Sequence, residues 1–315
     1  MLRRRDSCRS REKTRGRPFF FPSGITKRVF SGKTVTGLFA TFSIFFVFLI
    51  FIFVFTQSIP VFTNIGVTNF ILNHKWLPTA HPPSFGIAPM ILGSLLVTSL
   101  ALAVSVPLAL FGAIYISEIA SSKVRDLLKT TVEVLSAIPS VVYGFFGLVV
   151  LVPFIQRFFG LPTGQTALTA GLVLAFMILP TMLSIIEDSL RAVPNEYREA
   201  SFALGATKWE TIKNAVIPAA SSGIVGGVLL GLGRAIGETI AVMMLSGGAA
   251  VIPTSIFSPV RTMPATIAIE MGEVSFGSLH YSALFGIGLV LFAITFAVNF
   301  IANWIISRKV RRVAR

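Results

Sequence analysis

The sequence has little charge and almost no cysteine. Asp, Glu, Lys and Arg make up 13% of its 315 residues, about half of the share that is usual in soluble globular domains. The single cysteine, Cys8, excludes an intrachain disulfide and a metal site built from several cysteines. Hydrophobic residues make up 54% of the chain, and they come in uncharged runs longer than the roughly 18 residues that mark a membrane helix. The composition therefore excludes a cytosolic enzyme and a secreted disulfide scaffold, and it predicts a polytopic membrane protein.

The usual signatures of catalysis are also missing from the sequence. It contains no G-x-S-x-G and no H-E-x-x-H motif. The three histidines, His74, His81 and His280, have no metal-ligand spacing and are predicted to be surface residues of outer loops or a helix edge. Residues 31–34 resemble the end of a phosphate-binding P-loop, but Lys27 stands where that motif requires glycine. We expect a chain that is not an enzyme, holds no cofactor or metal of its own and carries no ATPase.

Long apolar runs predict an all-α membrane protein with six transmembrane helices, because about 20 helical residues cross the hydrocarbon core. The predicted spans are 35–56, 88–117, 132–153, 166–187, 219–247 and 282–306. The first run is too long for the apolar part of a signal peptide, so we expect it to be retained. The predicted organisation is a basic tail (1–34), a first helix with its outer loop (35–85), a five-helix core (86–307) and a second basic tail (308–315).

The basic residues predict the orientation. Of the 27 Lys and Arg residues, 23 lie in the two tails and in the connections 118–131 and 188–217. The alternate connections hold only Lys75, Arg157 and Arg261. Because short cytoplasmic loops are enriched in positive charge, both termini are predicted to be cytoplasmic. The net charge of +14 is therefore attributed to membrane topology and not to nucleic-acid binding.

The inner connection 188–218 has the pattern of two short helices joined by a glycine. Pro194 suits the first position of a helix, and Gly205 suits the left-handed residue that ends one. Thr207 and Glu210 have capping-box spacing, which predicts that a second helix begins there. An ordinary amphipathic loop is the alternative interpretation.

This connection resembles the E-A-A-x3-G-x9-I-x-L-P loop of bacterial ABC importer permeases of the MetI-like, binding-protein-dependent family. The matching residues are Glu199, Ala200, Ser201, Gly205 and Pro218. Ser201, Ala215 and Ile217 replace the alanine, isoleucine and leucine of the motif. The resemblance implies that the loop couples the permease to a separate ATPase subunit, which would bind the ATP.

The fifth predicted span contains two unusual features. Gly223, Gly227 and Gly231 recur every four residues, as do Gly233 and Gly237, which is typical of helices that approach closely in lipid. Arg234 and Glu238 lie one helical turn apart near the bilayer midplane, close enough to pair. An arginine at that depth costs about 2.5 to 3.5 kcal/mol on insertion scales, so it is predicted to face a partner or a water-filled pathway. A purely structural ion pair is the alternative.

Several segments resemble one subunit, the PstC-type permease of phosphate-specific ABC importers, more than its PstA-type counterpart. They are 136–144, 231–242, 258–263 and 269–273. The resemblance implies a MetI-like permease of the cytoplasmic membrane that translocates inorganic phosphate past Arg234 and Glu238. It also implies three kinds of partner, namely a second permease of the PstA type, an ATPase dimer and an external phosphate-binding protein.

Two further expectations accompany this interpretation. In the outer connection 248–281, Arg261, Glu270 and Glu273 are predicted to be exposed charges that contact the delivering protein. The open alternatives for the function are a permease for sulfate, molybdate or phosphonate, and an ATP-independent channel or membrane anchor.

Overall fold

The computed structural model describes residues 23–313, with side chains described from 34 to 301 and at Trp304. Residues 1–22 and 314–315, which belong to the two predicted basic tails, lie outside the described residues. The first half contains α1 (Ser23–Ile65), α2 (Val67–Leu72), β1 (Trp76–Leu77), β2 (Ser84–Phe85), α3 (Ala88–Ile114), α4 (Ser122–Ser136), α5 (Ser140–Phe146) and α6 (Val152–Phe159). The second half contains α7 (Ala167–Arg191), α8 (Asn195–Ala203), α9 (Lys208–Thr211), α10 (Ile217–Ala219), α11 (Ser221–Gly237), α12 (Ile240–Leu245), α13 (Met263–Glu270) and α14 (Leu279–Val313).

π-Helical turns and one small hairpin complete the described fold. The turns continue α3, α5 and α9 over Tyr115–Ile119, Gly147–Leu151 and Ile212–Val216. The strands β1 and β2 pair antiparallel, with Trp76 opposite Phe85. The described chain is otherwise helices and loops, which confirms the all-α fold class.

Six membrane spans are present if one broken helix is counted as a span. Five helices in the described part are long and apolar enough to cross a membrane: Thr34–Ile65, Ala88–Ile119, Ser140–Phe159, Ala167–Arg191 and Leu279–Ile301. The sixth is a pair of helices, Lys208–Ala219 and Ser221–Gly237, which meet at an angle of 70°. The bend follows Pro218, as the sequence predicts. Proline has no backbone N–H and cannot make the helical hydrogen bond to the residue four positions before it.

The third span does not begin where the sequence predicts. The prediction of 132–153 is wrong, because α4 ends at Ser136 and a new helix begins at Ser140. Pro139 separates the two, and a proline disfavours helical backbone in the residue before it. The backbone of Pro139 is extended, with φ −61° and ψ 143°. The apolar side chains before Pro139 therefore belong to an amphipathic helix outside the span.

The fifth span is also shorter than predicted. The sequence predicts one helix over 219–247, but α11 ends at Gly237 and the backbone of Glu238 is extended, with φ −71° and ψ 124°. The short helix α12 starts two residues later. Hydropathy predicts one continuous helix wherever an apolar run is uninterrupted. It does not detect a break of two residues inside such a run.

The described chain forms two compact units, which meet at Phe53 and Val54. In the first unit, the side chains of α1 from 34 to 50 are all exposed and mostly apolar. In the second, the larger core is formed chiefly by α3 and α7. A smaller cluster around Phe70, Trp76 and Met90 joins the hairpin to α13 and the start of α14.

Helix α7 lies at the centre of the second unit. It runs parallel to α3, because Gly171 lies against Leu100 and Gly112 lies against Leu183. The glycines of α11 pack against α7 in the opposite direction. Gly223, Gly227 and Gly231 lie against Ser189, Ile186 and Met182. The predicted packing stripe is therefore confirmed for these three glycines. It is wrong for Gly233 and Gly237, where an added Cβ would meet nothing within 4 Å.

We expect the glycine stripe to be sensitive to single methyl groups. A Cβ atom at Gly223 would lie 2.1 Å from Ser189 Oγ and 2.5 Å from its Cβ, whereas one at Gly226 would meet nothing within 4 Å. Gly223→Ala should therefore lower the free energy of unfolding by about 1 to 3 kcal/mol, the usual effect of overpacking. Gly226→Ala is the matched control and should not lower it, because alanine in place of a glycine inside a helix adds about 0.5 to 1 kcal/mol of stability. Thermal unfolding of both detergent-solubilised variants makes the comparison, and equal midpoints would contradict the packing.

Candidate functional site

Arg234 is held near the middle of the membrane spans. It lies near the end of α11, and its Nη1 donates a hydrogen bond of 2.7 Å to Thr181 Oγ1 on α7. Thr181 is the fifteenth of the 25 residues of α7, so it lies close to mid-depth. The side chain of Arg234 is partly buried. The cation thus has the facing partner that the sequence predicts, but that partner is a neutral hydroxyl.

The predicted pairing of Arg234 with Glu238 is wrong. No ion pair joins the two residues in the described part of the chain, because the helix ends between them and Glu238 leaves the helical register. One oxygen of Glu238, Oε1, instead accepts a hydrogen bond of 3.1 Å from the backbone N–H of Ala241. Glu238 thereby caps the start of α12, where an acidic side chain also interacts favourably with the helix dipole.

The break at 238–239 exposes backbone groups at membrane depth. The hydroxyl of Thr239 donates to the carbonyl oxygen of Gly237 at 3.3 Å, and the carboxylate of Glu238 satisfies one N–H of α12. In a bilayer, irregular backbone is tolerated only where protein covers it or where it lines a water-filled cavity. Broken helices at the midplane are also how transporters build binding sites for small ions. Arg234, Thr181 and the break together form the candidate site on the pathway.

Thr181 is the member of this site that sequence reasoning missed. It follows Pro180 inside an apolar span, and its hydroxyl has the geometry to orient a guanidinium. A polar residue directly after a proline in a membrane helix is a weak signal when taken alone. The role of Thr181 is visible only in the structure, where α11 packs against α7 and brings Arg234 next to Thr181.

The elbow, Asn195–Thr211, has the predicted helix–glycine–helix form. Helix α8 begins directly after Pro194, which is its N-cap instead of its first residue. Gly205 has φ +84°, as predicted for the left-handed residue between the helices. Thr207 and Glu210 form the complete capping box.

The motif residues of the elbow lie mostly at its surface. Glu199, Ala200 and Gly205 are exposed. Ser201, which replaces the alanine of the family motif, hydrogen-bonds through its hydroxyl to Thr211 at 2.9 Å. This bond joins the two helices of the elbow.

Several large apolar side chains of the elbow are exposed. Leu204 is 90% exposed, and Tyr197, Phe202 and Trp209 are about half exposed. Helix α8 has no buried residue. Several large exposed apolar side chains on one charged segment are typical of a protein–protein contact.

The elbow lies beside an ion-pair network that ties α4 to α7. Lys129 contacts Asp188 at 2.9 Å and Glu187 at 3.1 Å. The hydrogen bond to Asp188, followed by the one to Glu187, raises the pKa of Lys129 above its usual value. Arg191 contacts Glu187 at 3.5 Å. The carboxylate of Glu187, which is almost fully buried, is therefore paired with two cations.

At the opposite end of the bundle, two of the three predicted exposed charges are partly buried. Glu270 accepts hydrogen bonds from Arg261 Nη1 at 2.7 Å and from Trp76 Nε1 at 3.0 Å. It also lies 2.8 Å from His280 Nε2. The expectation of exposed Arg261 and Glu270 is wrong, because both take part in packing α13 against the hairpin and α14. Glu273 is exposed as predicted.

Comparison with known proteins identifies the family. The family model described as "binding-protein-dependent transport system inner membrane component" matches residues 105–315. The chain belongs to this family. It is therefore a membrane permease subunit of an ABC transporter and not an enzyme.

Relatives and solved structures agree with this assignment. The permease is 40% identical over 246 residues to the Bacillus subtilis protein named "Probable ABC transporter permease protein YqgH", covering 78% of the permease and 80% of that relative. It is 38% identical over 259 residues to the phosphate transport system permease protein PstC of Mesorhizobium japonicum, with 76% and 78% covered.

Two solved ABC transporters share the fold. An inward-facing structure of the MetNI methionine transporter aligns with TM-score 0.53 and 18% identity over 71% of the permease and 94% of that chain. A bacterial alginate ABC transporter in complex with an alginate-bound periplasmic protein aligns with TM-score 0.61 and 15% identity, over 90% and 96%. At these identities the likeness supports a MetI-like fold and nothing finer.

The capping role of Glu238 can be separated from its charge. Glu238→Ala removes the acceptor of the Ala241 N–H and should lower the free energy of unfolding of the permease by about 1 kcal/mol, as for other lost caps. Glu238→Gln keeps an oxygen at that position and should be affected less. Thermal unfolding in detergent gives both values. If the two variants lose the same stability, the carboxylate does not act as a cap.

Proposed function

We propose that the permease translocates inorganic phosphate as the PstC-type subunit of an ABC importer in the cytoplasmic membrane. The observation that carries the proposal is a single guanidinium at mid-depth in a chain whose relatives include named phosphate permeases. The elbow end faces the cytoplasm, and so do both termini, in agreement with the distribution of basic residues.

The chemistry of Arg234 fits an oxyanion. Phosphate near neutral pH carries between one and two negative charges, and an unpaired ion in hydrocarbon is strongly unfavourable. A guanidinium offers a planar fork that can donate two hydrogen bonds to one tetrahedral anion. In the described part of the chain, Nη1 is the only nitrogen of this guanidinium that donates a hydrogen bond to another residue. Its remaining N–H groups are available to a passing anion, while Thr181 keeps the fork oriented.

Glu238 belongs to the same pathway in this proposal. A fixed cation alone would hold the anion too strongly for rapid release. A carboxylate a few residues away, at the break of the helix, offsets part of that attraction. Because Glu238 is bound to the backbone of α12 and not to Arg234, the offset is electrostatic and does not require an ion pair to open.

The elbow provides the contact with the ATPase. Glu199, Ala200, Ser201, Gly205 and Pro218 match the family's coupling loop, and the exposed Leu204 and Trp209 offer apolar surface for a partner. ATP is bound by that partner, so the permease itself needs no cofactor. A second permease of the PstA type and an external phosphate-binding protein complete the importer. A structural relative was solved with a periplasmic protein bound.

Arg234→Gln should abolish phosphate uptake while leaving assembly with the ATPase intact. Arg234→Lys should restore uptake only in part, because an ammonium cannot reproduce the fork. Arg157→Gln is the matched control, since Arg157 is an exposed arginine at the end of another span. Uptake of radiolabelled phosphate is measured in membranes with matched protein levels, with sulfate, molybdate and phosphonate as competitors.

Three results would count against this proposal. Wild-type uptake in Arg234→Gln would remove the residue from the pathway and leave its bond to Thr181 as a structural contact. Competition by sulfate, molybdate or phosphonate that equals competition by unlabelled phosphate would assign the permease to another oxyanion. ATP-independent uptake would indicate a channel.

A further inference from the structure

One arginine of the elbow bonds to the ends of two membrane spans. Arg198 of α8 donates from Nη2 to Glu118 Oε1 at 2.6 Å and from Nε to Glu118 Oε2 at 3.2 Å. The two side chains are 17% and 9% exposed. Two parallel hydrogen bonds between a guanidinium and a carboxylate fix both direction and distance.

The same guanidinium also binds the end of α7. Its Nη1 donates to the carbonyl oxygen of Val193 at 2.7 Å, and Nη2 donates to that of Leu190 at 3.0 Å. These carbonyls belong to the last turn of α7 and the residues after it, where intrahelical partners are lacking. Arg198 therefore joins α8 to α7 and, through Glu118, to the end of α3.

Few other side-chain hydrogen bonds or ion pairs hold α8 in place. The helix has no buried residue, and its apolar side chains are largely exposed. Its other side-chain bond to a neighbouring element runs within the elbow, from Ser201 to Thr211. In the described part of the chain, the Arg198–Glu118 pair is the one ion pair between α8 and the membrane spans.

The turn that receives Arg198 is itself braced. Glu118 lies in the π-helical turn Tyr115–Ile119, which continues α3. Arg125 of α4 donates from Nε to the carbonyl oxygen of Ile116 at 2.9 Å and from Nη2 to that of Ser117 at 3.0 Å. The turn is therefore held by arginine side chains from both α4 and α8.

Span Ala88–Ile119 reaches from this turn to the opposite end of the bundle. At 1.5 Å per residue its length is about 48 Å. Near its start, Ser94 Oγ accepts a hydrogen bond of 3.0 Å from the backbone N–H of Met263. A Cβ at Gly93 would lie 2.7 Å from the carbonyl oxygen of Arg261, so the two segments touch. One continuous span thus contacts the elbow at one end and the outer connection at the other.

We propose that the Arg198–Glu118 pair is the link by which movement of the elbow is transmitted to span Ala88–Ile119 and through it to the outer connection around 261–263. Arg198 acts as a positioning residue and does not contact phosphate. This inference rests on the proposed function, in which the elbow binds the ATPase.

The test uses the complete importer in proteoliposomes, with its partner permease, ATPase and binding protein. Arg198→Gln and Glu118→Gln should each lower the number of phosphate ions transported per ATP hydrolysed by about tenfold, within the usual range of coupling between sites. ATP hydrolysis should continue. The double variant Arg198→Glu with Glu118→Arg should recover part of the number of phosphate ions transported per ATP. A defect caused only by lost stability would not be recovered in this way.

Arg191→Gln is the control, because Arg191 is a half-exposed arginine at the same end of α7 whose ion pair lies within that helix. Its ratio should equal that of the wild type. If Arg198→Gln does not assemble, Glu118→Gln decides, because glutamine keeps the size of the side chain but loses the charge and the second acceptor of the paired hydrogen bonds. An unchanged ratio in Glu118→Gln, or an equal loss in Arg191→Gln, would overturn the link. A wild-type importer that moves no phosphate would instead refute the proposed function.

Discussion

The structure depends on placing one guanidinium inside an apolar helical bundle. A cation at that depth needs a partner, and Arg234 finds a neutral one in Thr181 at 2.7 Å. This bond requires α7 and α11 to lie very close, and the glycine stripe of α11 permits that approach. The helix then ends three residues after Arg234, so the cation lies beside an unwound segment and not inside a continuous helix. The close packing of α11 on α7, the partly buried cation and the break in the helix therefore all lie at the same place in the structure.

The two ends of the permease are built in different ways. At the elbow end, paired charges fix the membrane helices while the apolar side chains of the elbow stay exposed. At the opposite end, Glu270 gathers Arg261, Trp76 and His280 into a partly buried cluster. The first arrangement leaves a surface for a partner, and the second makes the outer connection rigid. Span Ala88–Ile119 contacts both ends, which suits a protein that must relate events on its two sides.

Local patterns of the sequence predicted the elbow well. The positive φ of Gly205 and the capping box at Thr207 follow from rules that involve only a few neighbouring residues. The existence of the membrane spans follows from hydropathy, and the family's motif predicted the fold. The predictions failed where tertiary contacts decide. Hydropathy did not detect the break after Gly237, and charge counting treated Glu270 as solvated although three side chains bind it. Thr181 was missed because its role exists only across the α7–α11 contact.

The claim that an anion passes Arg234 can be tested most directly by chemical protection. Cys8 is the only cysteine, so a Cys8→Ser background with Thr181→Cys introduces one thiol next to the guanidinium. In the assembled importer, a small water-soluble thiol reagent should reach that cysteine, and inorganic phosphate should slow the reaction while sulfate should not. If the cysteine does not react in any nucleotide state, or if phosphate leaves its rate unchanged, Arg234 does not lie on the pathway.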